Sequence, residues 1–219
     1  MTGMFATAVA GDYDDGHGGQ RCGIPAATVA SIQAQLAYVA VMNNGGLFSP
    51  SRIWSAVVDR QGVLCSVIRL GDAWPSSRAI AIAKASTANG LSNGKLALST
   101  ANLYGPTQPG NALYGLNNSN PFNPDYLPQG SGIGRVPGGV ITFGGGVALY
   151  AAGKVIGGLG LSGDTSCADH AIAYRMRRAA NLDKVPGGVA NGTDNIIYAS
   201  GATPTGFQHP HCGDNDVTP

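Results

Sequence analysis

GLGLSGDTSCADH, residues 158–170, admits two readings, and the choice between them decides the fold. Gly158, Gly160 and Gly163 spell G-x-G-x-x-G, the glycine pattern of a dinucleotide-binding turn, and a helix-like segment follows. Asp183 stands about 20 residues beyond Gly163, where a ribose-binding acid belongs. Such a turn, however, sits in a parallel β-α-β unit whose acid closes a second strand. Here VITFGGGVALY (140–150), the turn Ala151-Ala152-Gly153-Lys154 and VIGGLGL (155–161) read as a hairpin, which gives the glycine strand an antiparallel neighbour. After the helix comes AANLDKVPGG, with no strand to carry Asp183. The glycines are therefore expected to let a helix or a ligand approach the strand backbone, and the dehydrogenase reading falls away.

Working outward, the rest of the chain supports a mixed fold. Pro25 stands where helices begin, and Val29, Ile32, Leu36 and Val39 mark one helical face that ends near Asn43-Asn44-Gly45-Gly46. Two β-rich runs, 53–58 and 63–70, flank Asp59-Arg60-Gln61-Gly62 as a first hairpin. Trp74-Pro75-Ser76-Ser77 reads as a turn and helix cap, followed by RAIAIAKASTAN, a helix of small residues stopped by Asn89-Gly90. Asp164, Thr165 and Ser166 offer caps for a last helix. Ser166 with Asp169 approximates a capping box, and Ala168, Ile172, Met176 and Ala179 form the apolar stripe.

This order predicts an α+β domain: a mainly antiparallel sheet of two hairpins with helices packed on it. Residues 1–24 read as a flexible arm and 25–185 as the domain, interrupted by a proline-rich insertion, 92–137. A loop of that length is expected to be functional or an assembly element. Residues 186–219 form a Gly/Asn-rich tail with one apolar patch, Ile196-Ile197-Tyr198.

Composition narrows the function classes. Of 219 residues only 11% are charged, against about 25% in ordinary globular proteins. That suits an exported protein, or a subunit covered by its neighbours. A net charge of +1, without a basic cluster, gives no field for nucleic acid. No run approaches the roughly 20 apolar residues of a membrane span. Ala8-Val9-Ala10 before Gly11 has the form of a signal-cleavage site, and arises equally by chance in an Ala-rich stretch. Cys22, Cys65, Cys167 and Cys212 lack C-x-x-C spacing, which removes the zinc-ribbon and thioredoxin signatures. They read as two disulfides of an exported protein; the competing reading is four buried thiols in a cytosolic one.

The helix-hairpin-helix run through RAIAIAKASTAN, then PGGVITFGGGVALY and GKVIGGLGLSGDTSCADHAIAYRMR, resembles the haem-binding HbpS/GlcG-like family. ALSTANLYGPTQPG, SNPFNP, DNIIY and a closing G-F-x-H-P-x-C resemble its longer, apparently exported members. The resemblance implies a profilin-like layered subunit that forms compact homo-oligomers, and haem or a related tetrapyrrole as ligand. It also implies that Cys22 pairs with Cys65 and Cys167 with Cys212, in a secreted or periplasmic protein. The insertion departs from the shorter haem-binding members, and the Glu-rich iron-binding motif of some of them has no counterpart here.

The candidate ligand-binding residues are Arg78, Lys84, Thr87, Ser99, Asn102, His170 and Tyr174. His170, with Tyr174 and Arg177 on its helical face, reads as a haem ligand or proton-transfer group, or else as a surface or capping histidine. Lys84 and Thr87, with Arg78 nearer the helix start, could form an anion pocket for a carboxylate, or equally a solvated face. Ser99 and Asn102, followed by Tyr104 and Gln108, open the insertion and could cover such a pocket. His209 and His211 form an H-x-H pair, but a metal needs three or four convergent ligands, so a disulfide-clamped tail is the better reading and no metal is expected. No Ser-His-Asp order, H-E-x-x-H or P-loop points to a reaction. The expected function is exported small-ligand binding, with haem as the candidate cofactor. The rival is a self-assembling extracellular structural subunit, a filament or sheath.

Overall fold

The computed structural model describes residues 19–119, 123 and 130–219. Most of the expected N-terminal arm, with His17, and also Phe122 and Tyr126 of the insertion, lie outside the described residues. The elements are α1 (Ala26–Val39), β1 (Ile53–Asp59), β2 (Leu64–Leu70), α2 (Ser77–Gly90), β3 (Gly146–Ala151), β4 (Lys154–Ser162) and α3 (Ser166–Ala179). The strands form one antiparallel sheet in the order β2-β1-β4-β3, so the two predicted hairpins meet through β1 and β4.

β1 is buried along its whole length because both sheet faces are covered. Alternate residues divide accordingly. Ile53 and Val57 join Leu159, Leu161, Val147 and Leu149 in a core closed by Ile32 and Leu36 of α1 and by Ile172 and Met176 of α3. Trp54, Ala56 and Val58 face the other way, against Ala81, Ile82 and Ala85 of α2. Ser55 lies on the α1 side, where its hydroxyl donates to Gln33 Oε1 at 2.7 Å.

The opening glycines explain how α2 sits so low on the sheet. A Cβ at Gly158 would collide with the Ala85 carbonyl oxygen, and one at Gly160 with that of Ala81. The sequence left open whether a helix or a ligand makes this approach; it is α2. Asp183 sits in an isolated bridge with Tyr150, outside the named strands, so it does not close a second strand of a dinucleotide site.

Three local expectations are corrected. β3 begins at Gly146 rather than at residue 140. The preceding segment turns aside because Ile141 N–H donates to Thr87 Oγ1 (2.9 Å) and Gly144 N–H to His209 Nε2 (3.2 Å). The cap of α3 is Thr165, whose side chain accepts from Ala168 N–H, while Asp169 Oδ1 accepts from Asp164 N–H, so the Ser166/Asp169 box does not form. Ala179, assigned to the apolar stripe, is exposed.

The insertion and the segment after α3 pair with parts of the sheet edges. Thr100 N–H donates to Gly146 O at 3.0 Å and Thr100 Oγ1 accepts from Gly146 N–H at 2.8 Å, while Tyr150 N–H donates to Leu182 O at 2.9 Å. Leu64 exchanges bonds with Gly134 and Arg135 at the opposite edge. Edge groups thus paired do not template strand addition. Ser99, Thr100, Ala101, Asn102 and Leu103 are wholly buried, so the insertion begins as part of its own subunit's interior.

Candidate functional site

Both cysteine pairs are bridged, Cys22–Cys65 and Cys167–Cys212. The second ties the tail to the first turn of α3 and brings its residues over that helix.

The first polar cluster lies where β4 ends. Lys84, buried in α2, extends to Asp169 Oδ2 (2.7 Å) and Leu161 O (2.9 Å), with the Phe143 ring 4.9 Å from its ammonium. Desolvation lowers the lysine pKa and raises that of Asp169 to about 6, although each partner's charge opposes the shift. Gly145 leaves room for this contact, since a Cβ there would come within 2.7 Å of the ammonium. Lys84 is thus occupied by an internal carboxylate. Thr87 donates to Ala83 O at 2.7 Å and accepts from Ile141, and Arg78 donates to Ser131 O at 2.6 Å. Arg78, Lys84 and Thr87 thus each have a different structural partner among the described residues.

The second cluster brings the remaining candidates together. His170 is wholly buried in α3, and Ile196 N–H of the tail donates to its Nε2 at 3.1 Å. Nε2 also lies 3.2 Å from Asn195 Oδ1, while Nδ1 has no partner among the described residues. Burial lowers its pKa to about 4. Tyr174 lies 5.9 Å from the His170 ring and 4.9 Å from the Arg177 guanidinium. Asn102 Nδ2 donates to Asn195 O at 2.8 Å, and the Ser99 hydroxyl donates to Asn102 Oδ1 at 3.0 Å. Ser99, Asn102, His170 and Tyr174 thus converge around Asn195–Ile196 of the tail.

Sequence reasoning missed the occupant of this cluster. Arg177 grips Asp194 with two parallel bonds, Nη1 to Oδ2 at 2.7 Å and Nη2 to Oδ1 at 2.6 Å, and both side chains are buried. Nη1 also donates to Ala148 O in β3 at 3.1 Å. The one sequence signal was Asp194 heading the quoted DNIIY motif. Beside the cluster runs a groove of about 540 Å³, lined by Tyr174, Ala190, Thr193, Asn195, Ile196 and Ile197.

The H-x-H pair diverges. His209 is buried, accepts from Gly144 at Nε2 and donates from Nδ1 to Pro210 O at 2.7 Å. His211 is exposed, bound to Asp216 at 3.1 Å and stacked on Tyr198 at 4.4 Å. Cys167, His209 and Cys212 lie close enough to share a cation, as do Cys22, Asp59 and Cys65. In each group the sulfurs are joined to one another, so no thiolate is offered.

Residues 28–177 match the family described as haem degrading protein HbpS-like. Corrinoid adenosyltransferase PduO of Citrobacter freundii is 34% identical over 148 residues, which are 68% of this chain but only 37% of that protein. The chain therefore spans well under half the length of that relative. Among solved structures, Klebsiella pneumoniae protein ORFY aligns with a TM-score of 0.56 at 27% identity, over 75% of this chain and 95% of its own. The PduOC:haem complex aligns with a TM-score of 0.56 at 29% identity, over 74% of this chain and 98% of its own.

Proposed function

The chain belongs to the HbpS-like family, and from that premise we propose that it binds a tetrapyrrole, haem first among them, on the α3 face behind the C-terminal tail. The observation that carries this reading is the likeness, along 98% of its length, to a chain solved as a haem complex. The corrinoid named for PduO is a related macrocycle, and both kinds of ligand present a flat ring edged with carboxylate or amide groups. Adenosyl transfer is no part of the proposal.

The residues fit the edge of such a ligand better than its metal. Arg177 is built for a carboxylate, Tyr174 offers a ring face, and Ser99 and Asn102 supply polar contacts beneath. His170 Nε2 is held by Ile196, so a macrocycle on this face displaces the tail before it meets the imidazole. Haem bound there would supply redox-active iron; the chain's part is to bind, orient and shield it.

The working compartment is oxidising, periplasmic or extracellular, in keeping with two disulfides and 11% charged residues. The test of the ligand is a hemin titration of the purified full chain. A saturable Soret shift with one hemin per subunit supports the reading, and a spectrum identical to free hemin contradicts it.

A second reading, self-assembly as an extracellular structural subunit, draws on the exposed Tyr38, Val41, Leu47, Trp74 and Tyr114. Deleting residues 111–130 should then leave the core folded and lower the mass found by light scattering. A wild-type monomer at micromolar concentration would refute it.

A further inference from the structure

Arg177, Tyr174 and His170 lie inside the stretch that matches the family, whereas Asp194, Asn195 and Ile196 lie beyond it. The helix face and what covers it are therefore separate pieces of sequence. The covering segment is fastened at both ends: Leu182 O holds it to β3 through Tyr150, and Cys212 holds it to Cys167 of α3. Between these points the turn at Asn191-Gly192, both at positive φ, delivers Asp194 to the guanidinium.

The cover satisfies the helix face only in part. Nδ1 of His170 and Nε of Arg177 are buried without a partner among the described residues. Such groups are costly in an interior meant only to pack. Thr193, Asn195 and Ile196 line the groove, so the strip bearing Asp194 is also the wall between the groove and the buried arginine. A planar guanidinium held by Tyr174 on its face and by Ala148 O at one nitrogen is pre-organised for a two-point carboxylate contact.

We propose that Arg177, with Tyr174 and His170 on the same helix face, is a carboxylate-recognition site of the family core, and that Asp194 occupies it as a tethered internal ligand. Resting on the tetrapyrrole reading above, the external ligand of that site is a macrocycle presenting a propionate-type carboxylate. A tethered group competes at an effective concentration in the millimolar range. The free ligand sees only the fraction of molecules whose tail is displaced, and its apparent affinity falls by that fraction.

The test compares the full chain with Asp194→Gly, both disulfides intact. Thermal midpoints are read against sodium acetate, with sodium chloride holding ionic strength constant, and hemin is titrated into both proteins. The variant should melt below wild type, recover saturably with acetate but not with chloride, and bind hemin about tenfold or more tightly than wild type. Asp194→Asn, which keeps the shape and removes the charge, carries the same readings if the glycine variant does not fold. No acetate-specific recovery, or equal hemin affinity in both proteins, overturns the assignment. Acetate recovery with no hemin binding to either protein keeps the carboxylate site and removes the tetrapyrrole reading.

Discussion

Nζ of Lys84 in α2 donates to Oδ2 of Asp169 in α3 across 2.7 Å, and both side chains are shut away from water. Such a pair adds little net stability over a packed apolar pair, but either half alone leaves an uncompensated buried charge. Lys84→Met or Asp169→Leu should each cost about 3–5 kcal/mol, and the double substitution should recover most of that. Urea unfolding of the three variants checks this. Additive single losses would show that the two groups are not coupled.

Acid should weaken the fold from near neutrality downward. Burial lowers His170 and His209 to about 4, while the unfolded chain takes up those protons near 6.5. Their contribution is whole above about pH 6.5 and is lost as the pH falls toward 4. Asp169 opposes this: burial raises it to about 6, so its contribution is greatest at low pH and declines as the pH rises to 6. Two histidines against one carboxyl leave a net loss on the order of 3 kcal/mol on acidification. Urea midpoints should therefore fall steadily between about pH 7 and about pH 4.5, with a shallower fall in His170→Gln. Constant or rising midpoints would contradict the buried neutral rings.

Gly160 carries the close approach of α2. Gly160→Ala should cost about 1–3 kcal/mol, because the added methyl meets the Ala81 carbonyl, which is backbone and cannot swing aside. Gly90→Ala, with nothing within 4 Å of the added Cβ, is the control and should be close to neutral. Equal melting temperatures for the two variants would count against the packing of α2 on β4.

The hairpins, the three helices and the close approach at the glycines are legible because each rests on local periodicity or turn chemistry, whereas the sequence does not say that α2 makes that approach. The α1 stripe Val29, Ile32, Leu36 and Val39 is buried as its spacing requires. The start of β3 was not legible. Residues 140–145 have strand composition, and what draws them away is contact with Thr87 and His209, remote in sequence. The candidate site was half legible: Ser99, Asn102, His170 and Tyr174 do meet. The burial of Lys84 against Asp169, which makes it neither a free pocket cation nor part of a solvated face, is not legible because no local pattern pairs the two residues. Asp194 went unassigned because its partner is set by the path of the tail, which follows the Cys167–Cys212 bridge rather than any periodic signal.

That bridge should govern the tail more than the sheet. Replacing Cys167 and Cys212 by serine should cost about 2–5 kcal/mol. Limited proteolysis should then cut first beyond residue 186, while the domain stays resistant. Wild-type protein from an oxidising compartment, alkylated under denaturing, non-reducing conditions, should gain no mass. Four alkylations would refute both bridges.

The central claim is that a tetrapyrrole is bound on the α3 face and that the tail gives way to it. Hydrogen–deuterium exchange of the full chain, with and without saturating hemin, tests this most directly. The account predicts faster exchange in residues 193–198 and slower exchange in 170–177 when hemin is bound, with the β1–β2 hairpin unchanged. Protection confined to another surface, or no change at either segment under conditions where hemin is bound, would contradict it.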